Sequence, residues 1–379
     1  VSGADLLLLL PWLVPGVGLV ALLVLVGFWR SHAGIAALTA GLLLVTGALA
    51  LRALLQGTTG VPEVVSLIVV DGIALLMVAL FAFAGAVVAC LSWRYLAKDR
   101  GDPEEFYVLL MCAVFGAMML VAAEHFAIVL LGLETLSIAL YTLIAYPQAG
   151  RRPLEAGVKY LVLSAVATAT LLFGTALVFV QTGSLHLDAF GGAGVVPAAD
   201  PLLRVGSALV LAAIAFKLSL VPFHLWTPDV YEGAPAPIAA FVATVSKGAV
   251  VVLLLRLTLA SDLLAGGALF TALATLALLS MLFGNLLALL QRSLKRILAY
   301  SSIAHMGYLL VALLAVGGSG GAARGVEATL VYVVTYTIMT LAAFAVISTL
   351  SPTADDRDLD DEDALAGLFW RRPFAAAVL

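Results

Sequence analysis

Long apolar runs alternate with short polar breaks from one end of the chain to the other. A bilayer core about 30 Å thick takes roughly 20 helical residues to cross, and run after run has that length. Counting them predicts eleven full spans, at 5–28, 34–55, 71–93, 106–123, 125–146, 156–181, 203–222, 237–260, 268–290, 297–316 and 326–350. The runs lack the short alternation of membrane strands, so each is read as a helix that satisfies its own backbone groups. Residues 61–70 read either as a short extended segment outside the membrane or as an early part of the third span. The Gly- and Pro-rich stretches 191–201 and 317–321 read as loops, and neither follows a strand as a nucleotide-binding turn would. The fold class is an all-α polytopic membrane protein, with 5–28 kept as a first helix because no basic leader or cleavage site precedes it.

Composition agrees with this reading: 63% hydrophobic, 11% charged and a mean hydropathy of +1.15 lie outside the range of water-soluble domains. The net charge of -4 says little about partners, since much of the acid sits between Asp355 and Asp363, a solvated connector or a partner-binding tail. Cys90 and Cys112 fall in separate apolar runs and read as small core hydrophobes, not as a metal cluster or a disulfide. The basic residues set the orientation. Loops after odd-numbered spans hold Arg30, Arg94, Lys98, Arg100, Arg151, Arg152, Arg292, Lys295, Arg296, Arg357, Arg371 and Arg372, whereas the opposite side holds Arg52, Arg204, Arg256 and Arg324. That bias predicts the N-terminus outside and the odd loops in the cytoplasm.

Three basic residues remain beyond those in loops and at span ends. Lys159 is near the cytoplasmic start of the sixth, where its stem can carry the charge to the interface. Lys217 is about fourteen residues into the seventh span and Lys247 about ten into the eighth, with Glu134 at comparable depth in the fifth. A charge at a helix centre costs on the order of 2.5 to 3.5 kcal/mol, so three of them need a reason. Glu134 paired with one lysine would join helices, but it would leave the other lysine without an acid. A proton path uses all three: burial disfavours charge on each group, mutual attraction restores it, and moving a partner then moves a proton.

The surrounding residues add to this. Pro222 lacks an N–H and its ring clashes with the carbonyl of Leu218, so the seventh helix is expected to break beside Lys217, with a small hydrated cavity at the freed backbone. Ser301 and His305 stand one turn apart on the tenth span; His305 is either a proton relay or a neutral hydrogen-bonded link between helices. Thr244 lies close to Lys247 in sequence and is a candidate to hold a water or bridge helices. His224, Asp229 and Glu232 are expected at the cytoplasmic mouth, as a proton entrance or a plain surface loop; no matching cluster makes them metal ligands.

These residues sit in recognisable motifs: FKLSLVPFHLWTPDVYEGAPAP at 216–237, ATVSKGAV at 243–250, GLETLSIALYTLIAY at 132–146, EAGVKYLVLSAVATATLLFG at 155–174 and LKRILAYSSIAHMGYLL at 294–310. Over essentially the whole chain they resemble the subunit N family of proton-pumping NADH-quinone oxidoreductase, bacterial respiratory complex I. More distantly they are similar to Mrp-type cation/proton antiporter subunits. The resemblance implies an antiporter-like fold of fourteen spans with inverted five-helix repeats at spans four to eight and nine to thirteen. On that pattern, residues 1–105 hold the first three helices, 106–260 the complete first repeat, and 268–379 an incomplete second one.

The resemblance also implies roles. Glu134, Lys217 and Lys247 match the family's proton-path residues, with displacement of a Glu134–Lys217 ion pair driving the proton onward, and His305 falls where the second repeat answers Glu134. With no iron–sulfur cysteine pattern and no dinucleotide fingerprint here, FMN, iron–sulfur clusters and quinone are expected in other subunits, and no cofactor or metal in this chain. The implied partners are neighbouring antiporter-like subunits in a bacterial inner membrane, with no nucleic acid. After Arg371 and Arg372 only PFAAAVL follows, where a span needs roughly 20 residues. The family's second broken helix and last two spans are therefore expected to be missing, as in a partial gene or a short natural variant; the opening valine fits a fragment or an alternative start codon.

Overall fold

A computed structural model describes residues 3–61, 67–97, 103–146, 151–191, 200–261, 267–317, 322–351 and 366–379. The helices in chain order are α1 (Gly3–Phe28), α2 (His32–Leu55), α3 (Gly72–Leu96), α4 (Glu104–Val121), α5 (Phe126–Ile144), α6 (Arg151–Thr182), α7 (Pro201–Lys217) and α8 (Trp226–Gly233). They continue with α9 (Ala236–Ala260), α10 (Gly267–Ala288), α11 (Leu294–Leu314), α12 (Ala322–Leu350) and the short α13 (Leu368–Arg371) and α14 (Pro373–Val378). Ten of the described helices are long and apolar enough to cross a membrane. The difference from eleven lies in the expected seventh span, 203–222, where the only helix, α7, ends at Lys217 and is too short to cross unaided; α8 starts beyond it, at Trp226. The short α13 and α14 bury no residue.

Polar residues at the breaks start the helices. Asp71 accepts the Ala74 N–H at 2.8 Å, Asp200 those of Leu202 and Leu203, and Ser293 that of Arg296, each meeting backbone donors that a first turn leaves free. Residues 61–70 resolve in favour of the extended reading where they are described: Gly60 pairs with Val70 and Ile68 with Ala123. The acidic stretch 355–363 and most of the two Gly-rich loops lie outside the described residues.

Consecutive helices pack as antiparallel hairpins, α2 with α3, α4 with α5, α6 with α7 and α10 with α11. Two of these crossings depend on facing glycines. A Cβ on Gly116 would stand 2.8 Å from the Gly132 carbonyl, and one on Gly132 2.9 Å from that of Gly116; Gly174 and Gly206 oppose each other in the same way. Small residues let the backbones touch, which fixes α5 on α4 two residues ahead of Glu134. The core centres on α9, enclosed by α3, α4, α7 and α12, and its apolar stretch is buried on all sides. A helix surrounded in this way can carry polar groups only if other helices satisfy them.

At the far end of α9, Arg256 donates to both oxygens of Asp71 (2.8 and 3.2 Å) and to the Val121 carbonyl, joining α9 to the starts of α3 and the end of α4. Its side chain is 9% exposed. Asp71→Ala removes a helix cap and leaves a buried guanidinium without its acid, which should cost about 3 kcal/mol or more. The expected result is a clearly lower thermal midpoint of the detergent-solubilised protein; an unchanged midpoint would show that the pair does not hold these helices together.

Candidate functional site

The break in the seventh span comes where the chain predicts it. α7 stops at Lys217, Ser219 takes a left-handed φ of 62°, and Pro222 follows. The freed groups find protein partners. Trp226 Nε1 donates to the Phe216 carbonyl at 3.1 Å, the Val221 N–H donates to Ser280 Oγ of α10 at 3.0 Å, and Thr227 donates to Ser219 Oγ at 2.5 Å. The hydrated cavity expected beside Lys217 is correspondingly small, a void of about 10 Å³ lined mainly by apolar side chains such as Leu133, Ala213 and Val250. That is room for one water at most.

Lys217 is 8% exposed, and its ammonium donates to Ser137 Oγ of α5 at 2.8 Å and Ser164 Oγ of α6 at 2.5 Å. Glu134 instead accepts from Thr168 of α6 at 2.7 Å. Because α5 and α6 run antiparallel, Glu134 faces Thr168 and, one turn along both helices, Ser137 faces Ser164. Lys217 reaches the serine layer and not the carboxylate, so the expected Glu134–Lys217 ion pair is replaced by hydroxyl contacts.

An aromatic group lies between the two lysines. Tyr160, one turn before Ser164, places its ring 6.0 Å from Lys217 Nζ and 4.8 Å from the Trp226 ring, and its hydroxyl interacts with Ser246. Trp226 in turn lies 6.0 Å from Lys247 Nζ and Tyr231 5.4 Å from it. Lys247 follows a π-helical turn over Val242–Ser246, a wider turn often found at functional positions. It is 1% exposed and donates to Ser302 Oγ of α11 at 2.8 Å. Tyr336 of α12 donates to the same oxygen at 2.7 Å, with the Tyr231 hydroxyl 3.3 Å away. Among the described residues no carboxylate lies within ion-pair distance of Lys217 or Lys247. His305, one turn beyond Ser302, bonds through Nδ1 to the Tyr332 hydroxyl at 2.7 Å and sets its ring 5.2 Å from Tyr336.

The remaining candidates separate. Asp229 and Glu232 do share one end of the bundle, in a network where Asp229 pairs with Lys159 (2.8 Å) and Arg296 (3.2 Å), and Glu232 with Arg296 (2.8 Å) and Arg152 (3.7 Å). They line a pocket of about 170 Å³ with Arg152, Glu155 and Lys159. Lys295, counted from sequence as a loop charge, is buried and donates to the carbonyls of Glu232 and Ala234, closing the end of α8. His224 does not join this network; it is buried within the break, with Nδ1 unpartnered. Thr244 does not bridge helices, since its hydroxyl donates to Ala240 of its own helix at 2.7 Å. Ser301 is only half buried, and the oxygen that meets Lys247 belongs to Ser302.

Comparison with known proteins fits this geometry. A family model described as "NADH:quinone oxidoreductase/Mrp antiporter, TM" matches residues 123–379. NADH-quinone oxidoreductase subunit N of Ectopseudomonas mendocina is 46% identical over 384 residues, covering 100% of this chain and 76% of the relative. The chain belongs to the subunit N family. Subunit N of Methylococcus capsulatus is likewise 46% identical, over 98% of this chain and 74% of its own length. A chain in the structure of respiratory complex I from Thermus thermophilus with bound aureothin superposes with a TM-score of 0.81 at 34% identity, over 97% of this chain and 76% of that one. The Mrp complex from Dietzia sp. DQ12-45-1b shares the fold, with a TM-score of 0.80 at 20% identity over 92% of this chain and 65% of that one.

In this member of the subunit N family, the polar residues that sequence reasoning passed over are Ser137, Tyr160, Ser164, Thr168, Ser302, Tyr332 and Tyr336. A signal for several was present: 160, 164 and 168 recur at one-turn spacing along α6, as do 332 and 336 along α12. Ser302→Ala removes the acceptor shared by Lys247 and Tyr336 and leaves buried donors unsatisfied, which should cost about 1–3 kcal/mol. Ser301→Ala should be near neutral. Thermal midpoints of the two variants test this, and equal midpoints would contradict the assignment.

Proposed function

We propose that this subunit moves protons along the row Lys217, Lys247 and His305, within an NADH-quinone oxidoreductase whose redox chemistry takes place in other subunits. The observation that carries the reading is the company the two lysines keep: both are buried, and each ammonium donates to serine hydroxyls with no carboxylate in ion-pair range among the described residues. An acid in contact would lock the positive charge in place. Hydroxyls solvate the charged amine and remain competent, as donors, when it is neutral, so either form can be held. Such an amine can therefore take up a proton and pass it on.

Glu134 acts on Lys217 at short range without touching it, through the Thr168 and Ser137–Ser164 layers. The proton crosses from Lys217 to Lys247 past Tyr160 and Ser246, and leaves Lys247 through Ser302 and Tyr336 toward His305. In this reading α4–α9 form the first inverted repeat, and α10 onward begin the second. The Asp229 network lies on the cytoplasmic side of a bacterial inner membrane, with the N-terminus outside. Support comes from the way basic residues of the predicted odd loops gather there: Arg152 and Arg296 both meet Glu232. FMN, iron–sulfur clusters and quinone belong to other subunits, and the membrane partners are adjacent antiporter-like subunits.

Lys217→Met and Lys247→Met, each in the assembled complex reconstituted in vesicles, test the path. Assembly, and NADH oxidation by an artificial acceptor, should persist, while the proton gradient built during quinone reduction should fall by about tenfold or more, the scale of losing one positioned proton-transfer group. Undiminished pumping with normal assembly would overturn the proposal, and loss of assembly would favour a purely structural role for the buried charges.

A further inference from the structure

At the end of the bundle away from the Asp229 network lies a pair of histidines that the proton path does not use. His125, directly ahead of α5, and His186, directly ahead of the single-turn helix Leu187–Gly191, oppose each other across an antiparallel bridge. Phe126 N–H donates to the Leu185 carbonyl at 2.8 Å and Leu187 N–H to that of Glu124 at 3.1 Å. The bonds thus flank the histidines and do not join them, which is the position where opposed side chains of an antiparallel pair stand closest. The two rings lie 4.9 Å apart, perpendicular to each other. His125 Nδ1 accepts the Ala127 N–H at 3.1 Å as the cap of α5, which orients the ring and leaves Nε2 for another partner.

We propose that His125 and His186 form a two-imidazole site for a transition-metal cation of the Zn²⁺ or Cu²⁺ class. Metal–nitrogen bonds of about 2.0–2.1 Å at a tetrahedral angle place two imidazole ring centres about 5 Å apart, and the observed separation is 4.9 Å. Imidazole suits these ions, and it binds them in its neutral form. His186 is exposed, so an ion can reach the pair from solvent. Among the described residues no group of three or more His, Cys, Asp or Glu side chains is arranged to hold a metal ion, and water completes the coordination of an open, exchangeable site. A bound ion ties the start of α5, the helix of Glu134, to the segment leading into α7, where the Phe190 carbonyl accepts from Ser207 at 3.4 Å.

Titration of the assembled complex with Cu²⁺, followed by electron paramagnetic resonance, tests the site with a readout independent of pumping. The wild type should show one added Cu²⁺ with two-nitrogen coupling, displaced by Zn²⁺. His186→Ala leaves the helix cap in place and should weaken uptake by about tenfold or more and reduce the coupling to one nitrogen, since the second imidazole no longer acts at high effective concentration. His125→Asn keeps a capping side chain and should have the same effect. Absence of the two-nitrogen signal in the wild type, or equal uptake by wild type and His186→Ala, would overturn the proposal.

Discussion

An ammonium group removed from water must be solvated by something, and the choice of solvating group decides what it can do. A carboxylate would hold the charge permanently; bare hydrocarbon would expel it. Lys217 and Lys247 are solvated by serine oxygens and flanked by aromatic faces, which lies between those extremes. The rest of the arrangement follows from that need. Three helices, α5, α6 and α11, each bring a serine hydroxyl to an amine, and Tyr336 of α12 donates to the last of these oxygens. The facing glycines then allow helices to approach closely enough for short side chains such as serine to meet a lysine.

The broken seventh span serves the same end. A continuous helix through residues 201–233 would have its carbonyls internally bonded and would carry Trp226 and Tyr231 past the core on a straight axis. Ending α7 at Lys217 and restarting at Trp226 lets α8 lie between α6 and α11, which places both rings beside Lys247. Backbone groups released by the break are met by Trp226 and Ser280, so the discontinuity needs little water to persist.

Spans, the break and the buried lysines were legible in the sequence because each has a local cause: run length, a proline, a charge amid hydrocarbon. Contacts between helices were not. Whether Lys217 meets Glu134 or Ser137 depends on how α5, α6 and α7 are rotated against one another, and two positions on the same helix face cannot be told apart by spacing. Ser301 and Ser302 are adjacent in sequence yet about 100° apart around the helix axis, so choosing between them required knowing which side of α11 meets α9. His224 makes a related point: it alternates with the exposed Phe223 and Leu225 and is buried, so its neighbours in sequence do not tell which groups it meets.

The seal that Lys295 makes on the end of α8 gives α11 a second significance. Lys295 and Arg296 grip α8 by its last carbonyls and by Glu232, while Ser302, seven residues further along the same helix, holds Lys247. The two grips are about 10 Å apart on one rod. A small tilt of α11 therefore cannot change the surroundings of Lys247 without also pulling on α8 and the rings it carries. Whatever displaces this helix from outside the subunit would act on the amine and its aromatic neighbours as one mechanical unit, with no signal needing to pass from side chain to side chain.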